Sequence, residues 1–361
     1  MLAQGSWIGI VGGGQLGMML AVEARKAGYR VYLFCDDQDA PALSHADRYR
    51  IADYGDGEAL MAFARFCSVV TCEFEHIPIA SLRHIERYGC LRPSSHVFFI
   101  AQHRAREKRF IDSHSLPVAP WCEVRCGSGI MEAIRHVGLP CLLKTCALGY
   151  DGRGQRMLRT MDDVKDVSSS LSGDDIVEKK IAYVMEFSII ACRSLSGVVC
   201  CYDVARNEHK GGILHRSIVP VGSCSLFPDE VRQRAEHMAV HLIERLDVVG
   251  LLAVEFFLTS DGEIIINEVA PRAHNSGHWT MDGSKTSQFA QWVRMISGGD
   301  SGDISRTHKV EMYNLLGDDV HRYEGKRSSS RERVHLYGKK CVRAGRKMGH
   351  VNILSSDVRT M

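Results

Sequence analysis

Residues 7–17 read Trp7-Ile8-Gly9-Ile10-Val11-Gly12-Gly13-Gly14-Gln15-Leu16-Gly17. Trp7 to Val11 is a short apolar run of the kind that forms a buried strand, and it stops at three successive glycines. From Leu16 the apolar residues recur at helical spacing, with Leu16, Met19 and Leu20 on one face, and Gly28 supplies a C-terminal stop. Val31 to Phe34 is a second buried strand, followed by Asp36 and Asp37. Strand, helix and strand in this order predict a parallel sheet. Gly12, Gly14 and Gly17 also satisfy G-x-G-x-x-G, with Asp36 beyond the next strand. Backbone N–H groups at such a turn can hold an anion. A dinucleotide, the phosphate of another ligand and a bare tight turn all fit this pattern.

Further along, Ser68 to Cys72 predicts a strand ending at Glu73-Phe74-Glu75, and the first domain closes near Pro93. A helix is expected over Ala101 to His114, broken by Pro117 and Pro120. Leu142 to Lys144 reads as a strand entering a glycine-rich loop, Gly149 to Gln155. Ser168 to Asp175 reads as a polar turn. Strands are expected at Ile176–Glu178, Met185–Ala191, Leu251–Leu258 and Glu263–Val269. Ser297 to Asp303 reads as a linker, and Arg322 to Arg333 as an exposed charged stretch.

Composition narrows the class of protein. The 361 residues are 45% hydrophobic and 24% charged, which excludes a wholly disordered or fibrous chain. Lys plus Arg is 45 against 43 Asp plus Glu, so charge gives no reason to expect nucleic acid or a membrane surface as partner. The 13 cysteines include no C-x-x-C pair, which argues against a zinc ribbon and for reduced thiols in the cytoplasm. No apolar stretch reaches the ~18 residues of a membrane span, and no secretion signal opens the chain.

Four segments carry chemistry. Lys144 precedes the loop Gly149-Tyr150-Asp151-Gly152-Arg153-Gly154-Gln155, which lacks the Gly-Lys-Ser/Thr of a Walker loop. A lysine and flexible backbone amides can still wrap a polyphosphate; a surface loop beside a solvated lysine fits equally. Asp261-Gly262 predicts a hairpin, and counting back from a two-residue turn sets Glu255 opposite Glu268. Two opposed carboxylates repel; a divalent cation such as Mg²⁺ would remove that penalty, and a solvent-exposed hairpin that tolerates the like charges also fits. That count puts Asn267 on the other face. Pro271-Arg272-Ala273-His274-Asn275-Ser276-Gly277-His278-Trp279 is dense in polar groups just after a strand. Arg343 to His350 is basic, and arginine forks match phosphate or carboxylate; a solvated basic turn fits it as well.

Taken in order, G-G-G-Q-L-G (12–17), G-Y-D-G-R-G-Q (149–155), I-N-E-V-A-P-R-A-H-N-S-G-H-W-T (266–280) and G-R-K-M-G-H (345–350) resemble one family. It is the N5-carboxyaminoimidazole ribonucleotide synthases, ATP-grasp enzymes of purine biosynthesis. The resemblance spans about Trp7 to His350. It implies an α/β and α+β architecture. The expected parts are a Rossmann-like N-terminal domain (1–97), a two-lobed ATP-grasp region (98–296) and a small β-rich C-terminal domain (304–361). The ATP-grasp lobes would divide into about 98–175 and 176–296. It also assigns the glycine turn to the ribonucleotide rather than to NAD.

The resemblance implies ATP contacts at Arg104, Lys144, Gly149, Tyr150, Asp151, Gly152, Arg153, Gly154, Gln155, Glu178, Lys179, Lys180, Ile181, Glu186, Arg206, Asn267 and Glu268. Glu178 would accept from the adenine amine, and Glu186 would hold the ribose. Glu255, Glu268 and Asn267 would bind Mg²⁺, or Mn²⁺ in its place. Gln15, Leu16, Glu73, Tyr150, Asp151, Arg272, His274, Asn275, Ser276, Arg346 and Lys347 would line the substrate side. Lys144, Arg272, Glu255 and Glu268 are the expected catalytic residues. ATP and bicarbonate would carboxylate aminoimidazole ribonucleotide through carboxyphosphate, in a cytoplasmic homodimer without nucleic-acid or membrane partners. The alternative is another ATP-grasp ligase with a different amine acceptor. The chain departs from the family pattern at Cys146-Ala147-Leu148, at His103, at Arg206 and at its end, Met361, before a further helix that relatives carry. Altered loop flexibility and weaker C-terminal packing are the expected consequences.

Overall fold

The computed structural model describes residues 1–125, 129–147, 149, 154–167, 171–220 and 227–356. Strands β1 (Trp7–Val11), β2 (Arg30–Cys35), β3 (Arg48–Ile51) and β4 (Val69–Cys72) form an all-parallel sheet in the order β3-β2-β1-β4. The helix Gln15–Lys26 follows β1, as its spacing predicts, and Gly28 takes φ +84° just beyond its end. Strands β1, β2 and β4 are buried and read as continuous apolar runs rather than alternating ones, whereas the edge strand β3, Arg-Tyr-Arg-Ile, is exposed throughout.

A second sheet contains β5 (Trp121–Val124), β6 (Cys141–Thr145), β7 (Gln155–Leu158) and β8 (Asp175–Lys179), antiparallel in the order β5-β8-β6-β7. Val124, Ile130, Cys141, Leu158, Val164 and Val177 form its own small core.

The third sheet has nine strands: β9 (Tyr183–Arg193), β10 (Val199–Cys201), β11 (Ala205–Lys210), β12 (Ile213–Val219), β13 (Gly250–Thr259), β14 (Ile264–Ala270), β15 (His308–Leu316), β16 (Glu332–Leu336) and β17 (Lys347–Ser356). Its order is β14-β13-β9-β11-β12-β15-β17-β16, with β10 beside β9. The C-terminal strands therefore continue this sheet through the β12–β15 pairing. Alternate residues of β9 serve two cores. Phe187, Ile189 and Ala191 pack with the helix Asp229–Arg245, while Ile190 and Cys192 pack with Phe289 and Trp292 of the helix Gln288–Ile296.

Two expectations change. The helix expected over Ala101 to His114 is split into Ser95–Ala101 and Arg104–Ser113. His103 between them is extended, at φ −140° and ψ 112°, and the Gln102 side chain donates to the carbonyls of Glu75 and Ile77 at 2.6 Å. The break gives Arg104 the first turn of a new helix. The basic segment near the end is only partly a solvated turn. Lys347 starts β17, and His350 is fully buried with Nδ1 2.8 Å from the Tyr337 hydroxyl.

Candidate active site

The carboxylate pair is set by the β13–β14 hairpin. Thr259 N–H donates to the Glu263 carbonyl across a three-residue turn, Ser260-Asp261-Gly262, with Gly262 at φ +85°. Leu258, Phe257 and Phe256 then face Ile264, Ile265 and Ile266. A bulge at Asn267 adds one residue, after which Glu255 faces Glu268. The expected pairing holds, but it comes from a longer turn and a compensating bulge. The bulge also corrects the placement of Asn267, which lines the same cavity as Glu255 and Glu268.

That cavity, about 400 Å³, lies between the second and third sheets. Arg104, Lys144, Gln155, Glu178, Lys179, Lys180, Ile181 and Glu186 line it together with the carboxylate pair. Burial raises the pKa of Glu255, and the facing Glu268 adds to this, with His209 opposing. Burial pushes the Glu107 carboxyl up to about 8, again helped by Glu268. The buried Glu255 facing the more exposed Glu268 fits a divalent cation, which would relieve their repulsion.

Glu178 is almost wholly enclosed. Lys108 donates to one oxygen at 2.8 Å and Lys144 Nζ lies 2.6 Å from the other. Burial alone would raise its pKa, but the two lysines outweigh burial and hold it at about 2. Each oxygen thus faces one ammonium group, and Glu178 still lines the cavity with acceptor capacity to spare. Glu186 meets His209 Nδ1. Arg206 pairs with Glu208 at 2.8 Å and does not line the cavity. His209, three residues on from Arg206, lines the cavity instead.

A second cavity, about 450 Å³, lies between the ends of the first and third sheets. Gln15, Leu16, Gly149, Arg272, His274, Asn275 and Lys347 line it. Arg272 forks onto Glu75, with Nη2 at 2.7 Å from Oε1 and Nε on Oε2. Burial opposes the charged form of Glu75, but Arg272 holds its carboxyl down at about 2. His274 Nδ1 accepts from Ser276 N–H and lies 2.8 Å from the Ser276 hydroxyl, so its Nε2–H points at Glu255, 3.4 Å away. Burial, reinforced by Arg272, keeps His274 neutral. Both polar side-chain atoms of Asn275 are buried without a protein partner, open to a ligand. Arg104, Glu268, His274, Asn275 and Lys347 line both cavities, so the two meet there.

Four further expectations are displaced. Glu73 lines neither of these cavities. Its carboxylate accepts from Gly14 N–H and Gly17 N–H, filling the anion hole of the glycine turn with the protein's own acid. That leaves no room there for a dinucleotide phosphate. Ser276 is buried behind His274 and bonded to Ser188. Arg346 donates to the Cys341 carbonyl at 2.7 Å and lines a neighbouring basic cleft. Gly154 sits outside the cavity walls, and Tyr150, Asp151, Gly152 and Arg153 lie outside the described residues.

Gly12 is needed for the close approach of Glu73. It has φ +101°, and a Cβ there would lie 2.5 Å from Glu73 Cγ. Gly12→Ala is expected to cost roughly 2–3 kcal/mol, seen as a lowered thermal midpoint. An unchanged midpoint would contradict this packing.

Residues 6–102 match the ribonucleotide synthetase preATP-grasp domain, 109–289 the ATP-grasp domain, and 311–361 the phosphoribosylaminoimidazole carboxylase C-terminal domain. The chain is 38% identical over 352 residues to the N5-carboxyaminoimidazole ribonucleotide synthase of Bacillus subtilis, covering 97% of this chain and 92% of that one. It is 38% identical over 353 residues to the Brucella melitensis enzyme of the same name, covering 97% and 96%. A solved N5-carboxyaminoimidazole ribonucleotide synthetase in complex with ADP superposes with TM-score 0.91 at 39% identity, covering 99% of this chain and 94% of that chain. The Aspergillus clavatus synthase, solved with ADP and 5-aminoimidazole ribonucleotide, gives 0.89 at 26% identity, covering 98% and 94%.

Proposed function

This chain belongs to the N5-carboxyaminoimidazole ribonucleotide synthase family, and from that membership we infer the work of its two joined cavities. The protein is an ATP-grasp ligase of purine biosynthesis. It carboxylates 5-aminoimidazole ribonucleotide with bicarbonate, converting ATP to ADP and phosphate. The observation that carries the residue assignments is the meeting of the cavities at Arg104, Glu268, His274, Asn275 and Lys347. A phosphoryl group entering from one side and an amine from the other would react at that junction.

Bicarbonate oxygen attacks the γ-phosphorus, the bond to ADP breaks, and carboxyphosphate forms. The ribonucleotide amine then bonds to the carboxyl carbon, phosphate leaves, and the amine loses a proton. Lys144 and Arg104 stabilise charge on the transferring oxygens. Glu178 fixes Lys144 and Lys108 and accepts from the adenine amine with a remaining lone pair. Arg272, Asn275 and Lys347 hold the ribonucleotide. Glu255, Glu268 and Asn267 would hold Mg²⁺ or Mn²⁺, which when bound supplies positive charge against the phosphate oxygens. His274, neutral and proton-bearing at Nε2, orients Glu255. Free thiols at the described cysteines suit the cytoplasm, and the described residues contain no helix long and apolar enough to cross a membrane. A homodimer is proposed on the family resemblance alone.

Phosphate release from MgATP and bicarbonate, with and without aminoimidazole ribonucleotide, tests this reading. Strong stimulation by the ribonucleotide is expected; ATP binding without stimulation would point to another acceptor. Lys144→Met should lower kcat about a hundredfold or more in that assay. Glu178 keeps Lys108 in the variant, so the fold should survive, and an unchanged kcat would remove Lys144 from phosphoryl transfer.

A further inference from the structure

At the foot of the glycine loop, outside the carboxylate pair, three side chains from separate segments converge. His103 lies at the helix break, Cys146 just beyond β6, and Asp174 just before β8. One ligand atom from each lies within 4.8 Å of the other two. His103 Nε2 is 3.0 Å from Asp174 Oδ1, close to the edge of a small coordination polyhedron. The backbone holds the group together: Arg104 N–H donates to the Cys146 carbonyl, and Cys146 N–H to the Asp174 carbonyl, both at 2.9 Å. His103 Nδ1 is buried without a partner.

We propose that His103, Cys146 and Asp174 form a binding site for one borderline-soft divalent cation, Zn²⁺ or Co²⁺, at the base of the glycine loop. A thiolate, an imidazole and a carboxylate are the donors such ions select, whereas Mg²⁺ prefers oxygen alone. Thiolate and carboxylate together neutralise a doubly charged ion, which suits a half-enclosed position. Burial keeps His103 toward the neutral imidazole that ligation needs, against the pull of Asp174. Burial pushes the Cys146 thiol up to about 12, so it stays protonated until a metal displaces the proton. Three protein ligands leave a position for water. Cys146 also lines the 450 Å³ cavity, so an ion here would tie the root of the loop to the helix that carries Arg104.

The test is titration of the full chain, freed of metal, with Co²⁺ followed by displacement with Zn²⁺. One Co²⁺ per chain with a thiolate-to-cobalt charge-transfer band is expected, persisting in excess Mg²⁺. Cys146→Ser should lose the band, and Asp174→Asn, at an exposed position, should bind at least about tenfold more weakly. Glu268→Gln should keep the band, separating this site from the carboxylate pair. Absence of binding in the parent chain, or a band unchanged in Cys146→Ser and Asp174→Asn, would overturn the proposal.

Discussion

Glu268→Gln is expected to lower kcat/KM by about a thousandfold or more without unfolding the protein. Glu268 faces Glu255 across the hairpin and lines both cavities. Removing its charge halves the charge of the proposed cation site while preserving side-chain volume. Stability should move the other way. Burial and Glu268 raise the pKa of Glu255, and raise that of Glu107 to about 8, from an ordinary 4.5. An acid whose folded pKa is raised contributes stability below 4.5 that is lost as pH rises through the folded value. The metal-free parent should therefore weaken between about pH 4.5 and 8. The variant loses one cause of both shifts, so at pH 8 and without metal it should be the more stable protein. The gain is on the order of 1 kcal/mol, roughly 2 °C, less the weak Arg104 pair at 3.6 Å. Paired activity assays and melting curves with and without Mg²⁺ check both parts. A variant with normal turnover, or one less stable than the parent at pH 8 without metal, would contradict this role.

Arg272→Met should give the largest stability loss. The guanidinium grips Glu75 with two bonds in a largely buried setting, joining the segment after β14 to the segment after β4. Removing one partner of a buried pair leaves the other charge uncompensated, at about 3–5 kcal/mol. The pH dependence follows from the same pair. With its folded pKa at about 2, Glu75 contributes stability above 4.5 that is lost as pH falls toward 2. The variant should lack that loss on acidification. Adding Glu75→Gln should recover much of the stability, because no buried charge is stranded. Activity should stay low in the double variant, because Arg272 also lines the 450 Å³ cavity proposed for the ribonucleotide. Recovery of activity along with stability would make Arg272 a strut alone.

Much of this architecture can be read from the chain, and the gaps have physical causes. Three strands of the parallel N-terminal sheet follow from apolar runs and a helical repeat; β3, Arg-Tyr-Arg-Ile and exposed, leaves no such signal. The carboxylate pairing also follows, although the turn has three residues and Asn267 bulges; period-two counting cannot see two offsets that cancel. Lys108 sits one helical turn after Arg104, an i, i+4 relation that places both on one helix face, yet sequence alone does not show that Glu178 comes between Lys108 and Lys144. The glycine turn reads as an anion site, but the group that fills it is the carboxyl of Glu73, brought back by β4. Arg206 and His209 differ by the odd spacing that turns a strand residue to the opposite face; the register shift beside them is an extra residue, His215, on the partner strand β12. The nearness of Glu75 to Arg272, 197 residues apart in sequence, leaves no local signal at all.

The most direct test of the proposed chemistry follows one oxygen atom. With bicarbonate carrying ¹⁸O, MgATP and aminoimidazole ribonucleotide, the oxygen that attacks the γ-phosphorus stays with phosphorus when the carboxyl carbon passes to the amine. The expected result is ¹⁸O in the released phosphate, in step with formation of the N-carboxylated ribonucleotide. Phosphate released at the same rate without ¹⁸O would mean that water or the ribonucleotide attacks ATP, and carboxyphosphate would be excluded.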